Sequence, residues 1–388
     1  MSCVSISASS STTHLPPSPL ASFLALHVAV MNHPSESKLT LLEVAHLGYT
    51  LSKTISIACF TFLTSPFRGE SGHKLLFKHV AHAAIRTLNG NATAREIQAI
   101  NPPSVEAYNS FAAAHNFKPK VVNLPTTSGK LLWFGSPEAS NILIFFHGGG
   151  YVYPATTQLQ WCWDLKERST LGADFAVAFL AYSLAPAAQY PVQLVEAVDL
   201  LRYLTDKEGK NPGKIVIAGD SAGGQLGLAV VSHLLHPHPS IERLTLPSPL
   251  AGLGLVSPWT GPTVTAESAK HNACRDVVNK AVLEKWGTYA VGSAAQDEYN
   301  SPLTANPDWW SGISTLVKTT LVIGGKDEVL FDDIEALVNK LKPSVPNLEV
   351  VYLDETHDPL MLDPILHIKE ECESSKVLKS WVISRLVD

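Results

Sequence analysis

Short apolar runs bounded by Gly, Pro, Asp or Asn recur through the 388-residue chain, at 131–134, 141–146, 175–182, 214–218, 253–256, 320–323 and 348–353. Most lack the polar alternation of a half-exposed strand, so they read as strands covered on both faces. Helical spacing fills most of the gaps, for example at 192–205, 225–235 and 333–341. Strands of this kind separated by helices form a largely parallel sheet between helical layers. The expected fold class is therefore α/β.

Before about residue 120 the pattern is different. Residues 1–35 contain no Asp, Glu, Lys or Arg, are rich in Ser and Pro, and include an apolar patch at 20–31. Segment 1–38 is expected to be disordered. A cleaved secretory signal would place a positive charge ahead of that patch, yet the first basic residue is Lys38. Because the segment resembles no part of a folded domain, Met31 is a second candidate start. Residues 39–120 read as an α-rich cap or membrane-contact section, with further helical patterns at 77–88 and 104–115. In 39–63 apolar residues are interrupted by His46 and Lys53, and the run 55–63 is too short to span a bilayer. An amphipathic helix capping a site or making peripheral membrane contact competes there with a plain packing helix. Residues 121–388 form the expected catalytic domain, with a cap insertion at about 261–296 that carries the helical pattern 277–286.

A formal net charge of −6 and the absence of a long Lys/Arg run leave no electrostatic footprint for nucleic acid. Cys3, Cys59, Cys162, Cys274 and Cys372 are scattered with no C-x-x-C pair, so they read as reduced, mostly buried thiols. That usage points to a cytoplasmic or membrane-associated protein, the endoplasmic reticulum included, rather than a secreted one. With no H-E-x-x-H and no clustered ligands, neither a metal nor an organic cofactor is expected.

One strand-to-helix joint carries chemistry. The run 214–218 enters Gly219-Asp220-Ser221-Ala222-Gly223-Gly224 and continues into the helical 225–235. A serine flanked at two residues by glycine, between strand and helix, can sit on a turn tight enough to lift its hydroxyl against the helix N-terminus. At ~7% Gly usage, a bare G-x-S-x-G arises by chance in roughly one such chain in ten. It does not stand alone, because the run 141–146 ends in His147-Gly148-Gly149-Gly150-Tyr151. Three successive glycines let the backbone approach a substrate carbonyl and aim N–H groups at it. Gly149 and Gly150 are the expected oxyanion donors, with the amide of Ala222 as the third. His147 reads as a structural hydrogen-bonder, while Gly148, Gly219, Asp220 and Gly223 shape the two loops.

A general base must come from a later loop. Among fifteen histidines, His357 follows the run 348–353 by a short turn, where a sheet edge would deliver it to Ser221. His367 falls in the apparent C-terminal helix, and His236, His238 and His271 in segments expected at the surface. The acid should leave the preceding strand, and the stretch 320–327 ends in Gly324-Gly325-Lys326-Asp327. Asp327 is the expected acid. Asp332 and Asp333 are near competitors whose bland role is to open a helix.

The order His-Gly-Gly-Gly, Gly-Asp-Ser-Ala-Gly-Gly, Asp, His resembles the hormone-sensitive-lipase-like branch of the α/β-hydrolase superfamily, which includes carboxylesterases, arylacetamide deacetylase and steryl acetyl hydrolases. The likeness spans roughly residues 125 to 388 and extends to Tyr182-Ser183-Leu184-Ala185-Pro186, Tyr190-Pro191 and Ser257-Pro258-Trp259. It departs at Ser183 and Ala187, where the family usually has an Arg and a Glu that form a structural ion pair. It departs again at Asp358 and Pro359, where Gly and an aromatic residue usually follow the histidine. The resemblance implies an α/β-hydrolase fold, with a mostly parallel central sheet, helices on both faces and a helical cap. It also implies a serine esterase that cleaves small apolar carboxylic esters with short acyl groups through an acyl-enzyme. Thioester or amide hydrolysis and acyl transfer in a biosynthetic pathway are the alternatives. Gibberellin receptors resemble the same family without turnover, but they lack the histidine, whereas all three positions are filled here.

Overall fold

Eight strands form one sheet in the computed structural model, which describes residues 39–387. The expectation of disorder for 1–38 lies outside the described residues. In chain order the strands are β1 (Val121–Asn123), β2 (Lys130–Phe134), β3 (Asn141–Phe146), β4 (Phe175–Ala181), β5 (Ile215–Asp220), β6 (Gly252–Val256), β7 (Thr320–Gly325) and β8 (Leu348–Leu353). Their spatial order is β1-β2-β4-β3-β5-β6-β7-β8. Strands β3 to β8 are parallel, while β2 runs antiparallel to both β1 and β4. Every expected strand is present. The three-residue β1 was not expected, because so short a run carries no pattern. Strand β8 departs from two-faced burial: it is half exposed, lying at the sheet edge with only β7 beside it.

Alternation along the strands feeds two separate cores. On β3, Ile142, Ile144 and Phe146 join one cluster, and Leu143 and Phe145 join the other. Helices α1 (Leu41–Thr64), α2 (Leu76–Asn91), α3 (Ala94–Ala99) and α4 (Ser104–Ala114) precede the sheet. Among the rest, α5 (Gln158–Arg168), α6 (Val192–Arg202) and α7 (Ala222–Leu235) lie between strands, as do the one-turn α8 (Ser268–His271), α9 (Lys280–Val291) and α10 (Phe331–Leu341). The one-turn α11 (Pro359–Leu362) and α12 (Glu373–Leu386) close the chain. Helices α6, α7 and α10 cover one face, and α5 and α12 the other. Each Leu, Ile, Val or Phe fully buried in these layers contributes about 1.5–3 kcal/mol. His367 lies in the turn between α11 and α12 with φ 54°, not in a helix as expected.

Helix α1 starts at a capping box, in which Thr40 and Glu43 satisfy each other's backbone amides. It packs against α2, but its buried positions are Thr50 and Thr54, while Leu41, Tyr49, Phe60, Phe62 and Leu63 are exposed. No described helix is long and apolar enough to cross a membrane. Helix α2 sits on the strap 272–278 that links α8 to α9. Arg86 donates to the carbonyls of Asp276 and Cys274, and a ring nitrogen of His82 lies 3.0 Å from the Arg275 carbonyl. The Lys285 ammonium of α9 donates to the Ala92 carbonyl at 2.9 Å, tying the segment after α2 to the same insertion. The four described cysteines are free thiols, but only Cys162 is buried, so the expectation of mostly buried thiols does not hold.

Candidate active site

The turn from β5 into α7 leaves no room for side chains around the serine. A Cβ on Gly219 would strike the backbone of Gly223, and one on Gly223 would strike the Phe146 carbonyl. Between them Ser221 takes φ 51° and ψ −114°, a conformation that costs a non-glycine residue about 1–3 kcal/mol. The surrounding ladder fixes it, since the Ser221 amide donates to the Val256 carbonyl of β6 at 2.9 Å. The hydroxyl therefore stands above the sheet at the N-terminus of α7, which is buried from Ala222 to Leu234.

His357 follows β8 and reaches the serine. Its Nε2 is 2.9 Å from Ser221 Oγ, and its Nδ1 is 2.7 Å from Glu328 Oε2. A carboxylate only accepts, so Nδ1 carries the hydrogen and Nε2 is left to accept from the serine. Glu328 is fully buried, and its Oε1 accepts from the Gly325 amide at 2.6 Å and the Ser257 hydroxyl at 3.1 Å. Burial pushes His357 down, but the hydrogen bond and charge of Glu328, with the charges of Asp276 and Asp220 behind them, raise it above the ordinary value of 6.5.

Asp327 is therefore not the carboxylate beside His357. Its side chain turns outward to pair with Arg275. The physical reason is the direction of the chain after β7: Lys326 and Asp327 form a turn at the surface, then Val329 and Leu330 plunge into the core and carry the side chain of Glu328 inward. Those two apolar residues are the sequence signal that marks 328 rather than 327. Asp332 and Asp333 lie in the first turn of α10, and Asp332 accepts from the Ser268 amide at 2.8 Å.

The glycine loop after β3 lies against this elbow. The Gly148 amide donates to Asp220 Oδ1 at 2.9 Å, whereas the amides of Gly149 and Gly150 have no protein acceptor among the described residues. Ala222 opens α7, so its amide is one of the unsatisfied donors of a helix N-terminus. The Asp220 carboxylate also accepts from Gln158 at 3.2 Å. His147 stacks on Tyr182 with ring centroids 4.0 Å apart, and the Tyr182 hydroxyl donates to the His147 carbonyl at 2.6 Å. Burial lowers His147 to about 4, so it is a neutral wedge.

The departures noted in the sequence have local solutions. The Ser183 hydroxyl and amide both donate to Glu196, at 2.6 and 2.7 Å, and Asp358 adopts the left-handed φ of 58°. Asp276 was not anticipated: it is fully buried beside His357, and the contacts that place it there come from residues far along the chain. Tyr153 and the α9 residue Trp286, with rings 5.8 Å apart, stand near Gly149 and Gly150, and the Tyr153 hydroxyl donates to Asn89 Oδ1 of α2 at 2.6 Å. A narrow cavity of about 30 Å³ between α6, α7 and α9 is lined by Leu194, Gln225, Leu226, Ala290 and Tyr299 among others, and by neither Ser221 nor His357.

A family described as the α/β hydrolase fold matches residues 143–360. The putative acetyl-hydrolase LipR of Mycobacterium tuberculosis is 30% identical over 155 residues, covering 40% of this chain and 46% of that protein. The arylacetamide deacetylase of Bos taurus is 36% identical over 99 residues, 24% of each chain. The chain thus spans less than half the length of these two curated relatives. An esterase from the bacterial hormone-sensitive lipase family superposes with a TM-score of 0.56 at 23% identity, covering 87% of this chain and 98% of that one. An esterase from Pseudomonas putida gives 0.61 at 19% identity, over 81% and 97% of the two chains. At these identities the structural likeness concerns the fold.

Proposed function

The chain belongs to the α/β hydrolase fold family, and from that premise we propose that it hydrolyses carboxylic esters with Ser221 as nucleophile, His357 as general base and Glu328 as the acid behind it. The observation that carries the reading is the unbroken contact from Ser221 Oγ to His357 Nε2 at 2.9 Å and from His357 Nδ1 to Glu328 at 2.7 Å. His357 takes the hydroxyl proton as Ser221 Oγ bonds to the ester carbonyl carbon. The resulting oxyanion rests on the amides of Gly149, Gly150 and Ala222. On collapse, the imidazolium gives its proton to the departing alkoxide, leaving an acyl-serine and an alcohol. A water then repeats the sequence and releases the acid.

The substrate reading is a small apolar ester with a short acyl group. Its support is the aromatic pair Tyr153 and Trp286 crowding the glycine loop, together with the acetyl-hydrolase and arylacetamide deacetylase among the relatives. The outward apolar side of α1 supports peripheral membrane contact through residues 39–63, and with it a cytoplasmic or membrane-associated setting.

The experiment is a series of p-nitrophenyl esters from acetyl upward, assayed with the full chain and with Ser221→Ala. Turnover is expected to peak at two to four acyl carbons, to vanish in the variant, and to be blocked when an organophosphate labels Ser221. Substantial turnover in Ser221→Ala would sink the nucleophile assignment, and a maximum above about ten acyl carbons would sink the short-chain reading.

A further inference from the structure

The loops that deliver Glu328 and His357 leave different strands, yet one buried carboxylate holds both. Asp276 Oδ1 accepts the amide of His357 at 2.9 Å and that of Val277 at 2.7 Å, while its Oδ2 accepts the amide of Val329, the residue after Glu328, at 2.8 Å. Asp276 belongs to neither loop. It comes from the strap 272–278 of the cap insertion, whose Asn272 side chain also donates to the carbonyls of Lys326 and Glu328, at 3.0 and 2.9 Å. The same strap is the seat of α2, through Arg86 and His82, and Arg275 ties it to Asp327 and to the Glu70 carbonyl.

We propose that Asp276 is a positioning residue for ester hydrolysis, setting the distance between His357 and Glu328 and making that geometry depend on the cap being seated. A carboxylate suits the task because it can accept three N–H groups at once, whereas an amide side chain would turn an NH₂ toward one of those donors. Its charge acts as well as its shape. Burial holds the Asp276 carboxyl up to about 6, with the charge of His357 lowering it and that of Glu328 raising it, and its own charge helps keep His357 above the ordinary value. The charged groups facing this cluster are Glu328, Asp220 and Arg86, while Arg275 is engaged by Asp327.

The inference rests on the Ser221–His357–Glu328 reading, so it is tested on full-length protein whose active sites are first counted by organophosphate titration. Rates are expressed per titrated site, which separates a folding loss from a loss of geometry. In Asp276→Asn, kcat should fall about tenfold to a hundredfold with KM nearly unchanged, the range a misplaced catalytic group produces. The acid limb of kcat/KM should move to lower pH, because one negative charge near His357 is gone. Asp276→Glu keeps the charge and displaces it by one methylene, so its acid limb should stay while kcat drops. A merely structural role would lower the melting temperature and the titratable fraction, leaving the rate per site and the acid limb where they were. That outcome would overturn the proposal. If Asp276→Asn fails to fold by circular dichroism, Asp276→Glu decides: an unchanged rate per site overturns the proposal, and a reduced one at constant KM and acid limb sustains it. A failure of the nucleophile assignment would look different, as turnover surviving in Ser221→Ala.

Discussion

Glu328 and Asp327 are neighbours in sequence and opposites in environment, which makes their substitution a sharp test. Glu328→Gln removes the charge that stabilises the His357 imidazolium and the acceptor that fixes its tautomer. We expect a folded protein with kcat reduced by ~10⁴, the scale seen when a triad acid is replaced by its amide. Asp327→Asn weakens the contact with Arg275, which lies outside the Ser221–His357–Glu328 contacts, and should retain most activity. The pH dependence gives a second reading. In the proposed mechanism His357 must be neutral to act, so its raised pKa predicts that activity is lost on acidification already above the ordinary histidine value of 6.5. Without Glu328, burial acts on the imidazole with less opposition, so the residual activity of Glu328→Gln should persist to lower pH. An acid limb that stays in place would show that Glu328 is not the group that raises His357. Ser221, His357 and the glycine loop were legible in the sequence because each sits at the end of a readable strand. The carboxylate beside His357 lies one position beyond the expected Asp327, because a strand's end fixes where the chain leaves the sheet but not how it turns afterwards.

Helix α1 has its polarity reversed. Thr50 and Thr54 face α2, and the Thr54 hydroxyl is satisfied by the Thr50 carbonyl at 2.9 Å, while Phe60, Phe62 and Leu63 point to solvent. Such a helix lies in an interface better than it spans one. We expect the full chain to co-sediment with vesicles of phosphatidylcholine and phosphatidylserine, and the triple variant Phe60→Ser, Phe62→Ser, Leu63→Ser to partition at least about a hundredfold less, from about 1.5–3 kcal/mol per side chain. Turnover of p-nitrophenyl acetate in free solution should be the same in both. Full-length protein that stays in the supernatant would remove the membrane reading. Periodicity made α2, α4, α6, α7 and α10 readable to within a few residues. The strap 272–278 has no periodicity, so its function is written only in contacts that span eighty residues.

At the scale of the whole molecule, parallel strands β5, β7 and β8 end on the same edge of the sheet, and that shared edge gathers Ser221, Glu328 and His357. The expectation of a mostly parallel sheet with helices on both faces is the part the sequence conveyed most fully, because two-faced burial dictates apolar composition directly. Helix α2 and the segment before it meet the strap 272–278 at neutral histidines, His82 buried and His73 half-buried. Burial lowers His82 to about 3, and burial with the Lys78 charge lowers His73 to about 4. In the unfolded chain both take up a proton near 6.5, so the stability they carry is full above that pH and is lost as pH falls toward 4. The melting temperature should therefore drop across pH 6.5 to 4.5, and His82→Gln should flatten that drop. An equal slope in the variant would exclude His82 as a source.

The sequence separations within the site bear on how the chain becomes competent. Ser221 and His357 are 136 positions apart, and Asp276 and His357 are 81 apart. Contacts at such range close late, after the local helices and most of the sheet have formed. During refolding from denaturant, regain of helical circular dichroism and of Trp burial should precede labelling by an organophosphate. A newly made chain would then pass through a state that has its shape but not yet its nucleophile, harmless to cellular esters until the last loops dock.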